Sequence, residues 1–179
     1  MIRVGILTVS TRGAAGERED TSGDLLEQMV GNDLAGGAVV VRSLVPDDVQ
    51  QIRDVLIPWA DELKLDLILT TGGTGFSPFD LTPEATREVI ERETPGLVFA
   101  MLREGLNKTP HAMLSRSMAG IRGQTLIVNL PGSPKGVREN LQAILPALPH
   151  GIELLQDLRG AAERHRFEAG SAPRAKHAQ

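Results

Sequence analysis

Short apolar runs alternate along the chain with stretches of helical period. Val4 to Val9 (Val-Gly-Ile-Leu-Thr-Val), Ala38 to Leu44, Leu65 to Thr71 and Thr125 to Leu130 are runs rich in aliphatic and β-branched residues, which predicts strands buried on both faces. Between them apolar residues recur at helical spacing: Leu25, Leu26, Met29 and Val30, then Val49, Ile52, Leu56, Trp59 and Leu63, then Val137, Leu141, Ile144 and Leu148. A further helix is expected after residue 81, where Thr82-Pro83-Glu84 reads as an N-cap followed by proline at the first helical position. Pro58 should kink the second helix or shift its boundary, and Pro146 and Pro149 punctuate the last helical stretch. Trp59 lies on an apolar stripe and is expected in the core. The alternation predicts a three-layer α/β fold, a mostly parallel sheet covered by helices on both faces. Ligands bind such sheets beyond the carboxyl ends of the strands.

Composition narrows the function. With 179 residues, 41% of them hydrophobic, the chain is expected to form one globular domain with a sizeable core over residues 1–159. After Arg159 the periodicity stops, and a mobile tail is expected over residues 160–179. Aromatic residues make up 3% and the formal charge is −4, which argues against a stacking platform or electrostatic footprint for nucleic acid. There are no cysteines, so disulfides, thiolate metal sites and cysteine nucleophiles are excluded together. The apolar run within Met1 to Ser10 is too short for a signal sequence and no stretch reaches membrane-spanning length, so the protein is expected in the cytoplasm and off the membrane.

Four loops follow the four predicted strands. Ser10 ends the first strand, Pro46-Asp47-Asp48 follows the second, Gly72 to Asp80 the third, and Pro131-Gly132-Ser133-Pro134-Lys135 the fourth. In the third loop Gly72, Gly73 and Gly75 let backbone N–H groups approach a ligand, and a helix start follows, so phosphate is the natural guest. Thr74 lies among these glycines. A carboxylate beside such a site repels phosphate unless a divalent cation lies between them, which makes Asp80 a candidate Mg²⁺ anchor. The competing reading is a tight strand-to-helix turn with Asp80 solvated. The loop is neither a Walker loop nor a dinucleotide fingerprint, because it lacks Gly-Lys-Ser/Thr and a third glycine at the required place. Asp47 precedes a helical stripe, and taken alone it is better read as that helix's N-cap. Ser133 and Pro134 form a cap and first-turn pair that also brings Lys135 to a helix start, giving a second anion loop. Two such loops suggest a polyphosphate ligand. His111 and His150 have no ligand-spaced neighbours, and a hydrolytic triad is not indicated.

Several segments together resemble a known family: Thr70 to Gly75, Thr82-Pro-Glu-Ala-Thr86, Met113 to Gly123, Asn129 to Gly136 and Leu145 to His150. They are similar, in the same order, to molybdopterin adenylyltransferases of the MogA type and to the N-terminal domain of gephyrin and its plant counterpart, over most of residues 2–159. The resemblance implies an α/β fold, usually a homotrimer, that binds Mg²⁺, ATP and molybdopterin. It implies transfer of AMP to the pterin's terminal phosphate with release of pyrophosphate, and passage of the product to a molybdenum insertion protein. By motif, it assigns Asp47 and Asp80 to magnesium and catalysis, which reverses the cap reading of Asp47. Ser10, Gly72, Gly73, Thr74, Gly75, Ser115, Ser117, Asn129, Pro131, Gly132, Ser133 and Lys135 then fall at nucleotide- or pterin-binding positions. Asp20-Thr-Ser-Gly23 resembles the family's Asp-x-Ser-Gly at the first helix. One departure is Phe79, where the family commonly has Arg. Two alternatives stay open: a molybdopterin-binding protein of the MoaB type without turnover, and a nucleotide pyrophosphatase of the same fold.

Overall fold

The computed structural model describes residues 1–156. Its elements are β1 (Ile2–Val9), α1 (Thr11–Ala14), α2 (Thr21–Asp33), β2 (Gly37–Val45), α3 (Val49–Asp61), β3 (Leu67–Thr71), α4 (Thr82–Val89), β4 (Arg92–Glu93), α5 (Pro95–Lys108), β5 (Ala119–Arg122), β6 (Thr125–Leu130), α6 (Pro134–Ile144) and α7 (Leu148–Leu155). Short 3₁₀ turns cover Pro110–Leu114 and Leu145–Ala147. The tail expected after Arg159 lies outside the described residues.

The sheet has six strands in the order β2-β1-β3-β6-β5-β4. The first four run parallel; at one edge β5 pairs antiparallel with β6, and β4 antiparallel with β5. β1, β3 and β6 are buried along nearly their whole length, as continuous apolar runs require when helices cover both faces. Alternate residues feed two cores. Val4, Ile6, Leu67, Leu69, Leu126 and Val128 pack with α2, α5, α6 and α7, whereas Leu7, Ile68 and Ile127 pack with α3 and α4. At ~25 cal/mol per Å² of apolar surface, each fully buried leucine or isoleucine contributes about 1.5–3 kcal/mol. β2 is expected to be buried on both faces but is only half-buried, because it is an edge strand with one neighbour.

Two helix starts differ from the sequence reading in ways that bear on the site. α3 is capped by Asp48, whose Oδ1 accepts from Gln51 N at 2.8 Å, and Asp47 has no part in that cap. α4 has Leu81 as its N-cap residue, and Thr82 is already helical and fully buried. Its hydroxyl donates to Gly72 O at 2.8 Å, tying the helix to the glycine loop instead of capping itself. Pro58 sits inside α3, which runs on to Asp61, so Leu63 lies beyond the helix and is exposed. Trp59 is buried in the core.

Candidate functional site

Loops after the carboxyl ends of β1, β2, β3 and β6 line two cavities, the second of which is also walled by the end of α5 and the 3₁₀ turn that follows it. The first, about 370 Å³, is lined by Ser10, Asp20, Asp47, Gly72, Gly73 and Asp80 among others. The second, about 460 Å³, is lined by Thr74, Gly75, His111, Ser115, Pro131 and Lys135 among others. Gly73, Asp80, Gly132 and Ser133 line both.

The shared wall is built from two glycine turns in contact. Gly72 and Gly73 have φ of 102° and 62°, a region costly for any residue with a Cβ. A Cβ on Gly72 would meet Val9 O at 2.2 Å, so glycine there lets the loop lie against β1, and one on Gly132 would lie 3.1 Å from Gly72 Cα, a tight contact between the two loops. Thr71 Oγ1 donates to Pro131 O at 2.7 Å and Ser22 Oγ to Gly132 O at 2.9 Å, fixing the second loop to β3 and α2. The N–H groups of Gly73, Thr74 and Gly75 have no hydrogen-bond partner among the described residues. These donors are available to an anion. Ser133 caps α6 by accepting from Gly136 N at 3.1 Å, and Lys135 stands exposed on that helix's first turn.

Asp47 and Asp80 reach the first cavity from opposite loops. Asp47 Oδ2 accepts from Thr11 N and Thr11 Oγ1, both at 2.8 Å, while Oδ1 faces Gly73, where an added Cβ would sit 3.1 Å away. Asp80 Oδ2 accepts from Ser77 N at 2.9 Å. Each carboxylate thus spends one oxygen on its own scaffold, and each Oδ1 has no hydrogen-bond partner among the described residues. Asp20 is different in kind. It caps α2 through Gly23 N at 2.9 Å, accepts from Thr8 Oγ1 at 2.8 Å, and pairs with Arg42. Burial alone would lower the pKa of Arg42, but its bonds to Asp24, Glu27 and Asp20 outweigh that and raise it. Asp20 is therefore structural and charge-compensated.

Of the residues singled out by sequence, Asp47, Asp80, Ser10, Gly72 to Gly75, Ser115, Pro131, Gly132, Ser133 and Lys135 line one or both cavities. Ser10 Oγ is already engaged as the cap of α1. Ser117 lies behind Ser115, which donates to it at 2.9 Å, in a smaller recess of about 70 Å³. Asn129 is wholly buried and lines neither main cavity. Its Nδ2 donates to Thr70 Oγ1 and Thr86 Oγ1, both at 2.9 Å, clamping β3 to α4 beneath the glycine loop. Phe79 is 74% exposed and packs against little. Sequence reasoning missed two residues. Thr11 orients Asp47, and Arg116 binds the glycine loop from outside, with Nε donating to Gly75 O at 2.7 Å, one terminal nitrogen to Asp80 O, and both terminal nitrogens to Glu84. That pair holds the Glu84 carboxyl below its ordinary value, the hydrogen bond from Arg116 outweighing the opposing effect of burial.

Residues 5–150 match the model of a family described as a probable molybdopterin binding domain. Gephyrin of Dictyostelium discoideum is 48% identical over 160 residues, covering 85% of this chain and 22% of its own length. The chain therefore spans about a fifth of that relative. A molybdopterin adenylyltransferase of Helicobacter pylori is 40% identical over 154 residues, with 86% of this chain and 88% of the relative covered. Among solved structures, the molybdopterin biosynthesis enzyme MoaB of Thermus thermophilus superposes with a TM-score of 0.82 at 55% identity, covering 87% of this chain and 96% of that one. The chain belongs to the family of molybdopterin-binding domains that contains the MogA- and MoaB-type proteins of molybdenum cofactor biosynthesis.

Proposed function

We propose that this chain transfers AMP from ATP to the terminal phosphate of molybdopterin, giving adenylyl-molybdopterin and pyrophosphate. The observation that carries this reading is the pair of cavities meeting at Gly73, Asp80, Gly132 and Ser133. Two ligands seated side by side would bring their phosphates together at that wall, beside a glycine loop whose Gly73, Thr74 and Gly75 N–H groups have no partner among the described residues. A water-using pyrophosphatase needs only one such seat.

The reaction forms a bond from a pterin phosphate oxygen to the α-phosphorus and breaks the bond from that phosphorus to pyrophosphate. The nucleophile is already ionised near neutral pH, so no general base is required, and the difficulty is anion repelling anion. Alignment and charge neutralisation are what the protein must supply. The glycine-loop donors hold phosphate oxygens, Lys135 adds a positive charge from the second cavity, and the touching turns fix the two seats relative to each other. Apart from Asp20, which pairs with Arg42, the lining of the first cavity sets Glu19, Asp47 and Asp80 against Arg18 alone among the described residues. A nucleotide polyphosphate entering there meets carboxylates, and the free Oδ1 atoms of Asp47 and Asp80 suit a hard divalent cation. Among the described residues there is no group of three or more His, Cys, Asp or Glu that could hold a metal by itself. The two carboxylates match Mg²⁺, which is commonly held by one or two carboxylates together with substrate phosphates. Asp47 and Asp80 would hold it, and when bound it would neutralise charge on the nucleotide. Homotrimeric assembly, a cytoplasmic location and delivery to a molybdenum insertion protein belong to the same proposal and rest on the family resemblance. Among the described residues no helix is long and apolar enough to cross a membrane.

Phe79 favours a second reading, in which the chain binds molybdopterin without turnover. Where the family resemblance implies Arg, this chain has an exposed ring, which adds no positive charge beside Asp80. The test is incubation with molybdopterin, ATP and Mg²⁺ followed by mass detection of the adenylyl-pterin. The parent chain is expected to form it, and Asp80→Asn to slow it by about 10²-fold or more. Equal rates for the two would remove Asp80 from the mechanism.

A further inference from the structure

The loop from Gly75 to Asp80 carries a proposed catalytic carboxylate yet has almost no hydrophobic anchorage. Phe76 is 66% and Phe79 74% exposed, and Ser77 and Pro78 between them are exposed as well. Inside the loop the bonds are local: Asp80 N to Ser77 O at 2.9 Å, Ser77 N to Asp80 Oδ2 at 2.9 Å, and Phe79 N to Ser77 Oγ at 3.3 Å. Such a set holds the loop's own shape but does not say where it sits against the sheet. Thr82 N to Gly73 O at 3.1 Å ties down its base.

Arg116 supplies the missing anchor. Its guanidinium binds the carbonyls at both ends of the loop, Gly75 O and Asp80 O, and is itself held by Glu84 on the first turn of α4. Arg116 N also donates to Thr74 O at 2.8 Å. α4 is fixed by burial of Pro83, Ala85, Thr86 and Val89, so the backbone that carries Glu84 is held in place. The planar fork of five donors can span two carbonyls and a carboxylate together, which an ammonium cannot do in the same geometry. Arg116 also directly follows Ser115, a wall residue of the second cavity.

We propose that Arg116 is a positioning residue: braced by Glu84, it fixes the Gly75 to Asp80 loop so that Asp80 faces the shared wall of the two cavities. This deepens the transferase reading and rests on it for the effect on turnover. The test combines amide hydrogen exchange on the full chain with the adenylyl-transfer assay, for Arg116→Gln, Arg116→Lys and Glu84→Gln. Arg116→Gln should speed exchange at Ser77, Asp80 and Thr82 by roughly tenfold or more, while β3 and β6 stay protected. Its turnover should fall by on the order of 10- to 100-fold at saturating ATP, as expected when a reacting group is misplaced. Lysine should restore neither, and Glu84→Gln should show smaller changes in the same direction. Unchanged loop exchange, faster exchange with full turnover, or complete rescue by lysine would each overturn the proposal. If Arg116→Gln does not fold, Glu84→Gln is judged by the same two measurements, and unchanged exchange there overturns it. The exchange arm uses no substrate, so it still decides the anchoring if the parent forms no adenylyl-pterin, a result that would refute the transferase reading alone.

Discussion

Asp47 and Asp48 are adjacent carboxylates with opposite duties, and exchanging them one at a time separates site from scaffold. Asp48 caps α3 through Gln51 N, while Asp47 is turned away from that helix toward Thr11 and Gly73. In Asp47→Asn the amide oxygen can still accept from Thr11 N and Thr11 Oγ1, so two charge-assisted bonds become neutral ones. Each such change costs about 1 kcal/mol in a dry setting, and less here because both bonds are solvent-exposed. A total of about 0.5–1.5 kcal/mol is expected, which lowers the melting midpoint by roughly 2–5 °C for a domain of this size. The amide cannot serve as an anionic metal anchor, so turnover should fall by about 10²-fold or more. Asp48→Ala removes a helix cap and should also cost about 1 kcal/mol, but with the transfer rate kept. The assay is thermal unfolding of each variant beside its rate of adenylyl transfer. Full activity in Asp47→Asn, or collapse of activity in Asp48→Ala at equal stability, would refute the assignment of these two residues.

Gly73→Ala places a methyl group at φ 62° and 2.4 Å from Thr82 Oγ1, a hydroxyl that is buried and bonded to Gly72 O. Left-handed strain of about 1–2 kcal/mol and loss of that bond at about 1–3 kcal/mol add to roughly 2–5 kcal/mol. Chemical denaturation that shows less than about 1 kcal/mol would mean the loop relaxes freely. In acid, Glu84→Gln should differ most from the parent above the ordinary glutamate value of 4.5, because the carboxyl held low by Arg116 stabilises the folded state there and loses that advantage as pH falls through its folded pKa. The gap between the melting midpoints of the two proteins is therefore expected to shrink as pH falls from about 4.5 and to close below the lowered folded pKa, and a gap that stays constant down to strongly acidic pH would contradict the pairing.

The order of strands and helices was legible because both faces of β1, β3 and β6 are covered, and full burial leaves continuous apolar runs in the sequence. What was hidden has physical reasons. α5 buries only Met101 and Gly105 fully and leaves Phe99 and Leu106 exposed, so it writes no clean stripe. β4 and β5 are too short to carry an alternation. The glycine loops were readable because positive φ and close approach demand glycine, but which of two neighbouring aspartates caps α3 depends on one residue of backbone path. Thr82 looked like a cap, and its hydroxyl went to a carbonyl that only the tertiary fold brings near. Asn129 sits in a motif with binding associations, yet its amide is a clamp inside the core. Arg116 was invisible because its partners lie 32 to 41 residues away and two of them are backbone carbonyls, which leave no mark in the sequence.

The most direct measurement of the central claim follows ATP labelled at the α-phosphate, with Mg²⁺, in the presence and absence of molybdopterin. Pyrophosphate is expected to be released only when the pterin is present, with the label recovered on the pterin in equal amount. Label recovered as free AMP, with or without the pterin, would make water the nucleophile and contradict the two-cavity reading. Tight pterin binding with no pyrophosphate released would contradict turnover itself.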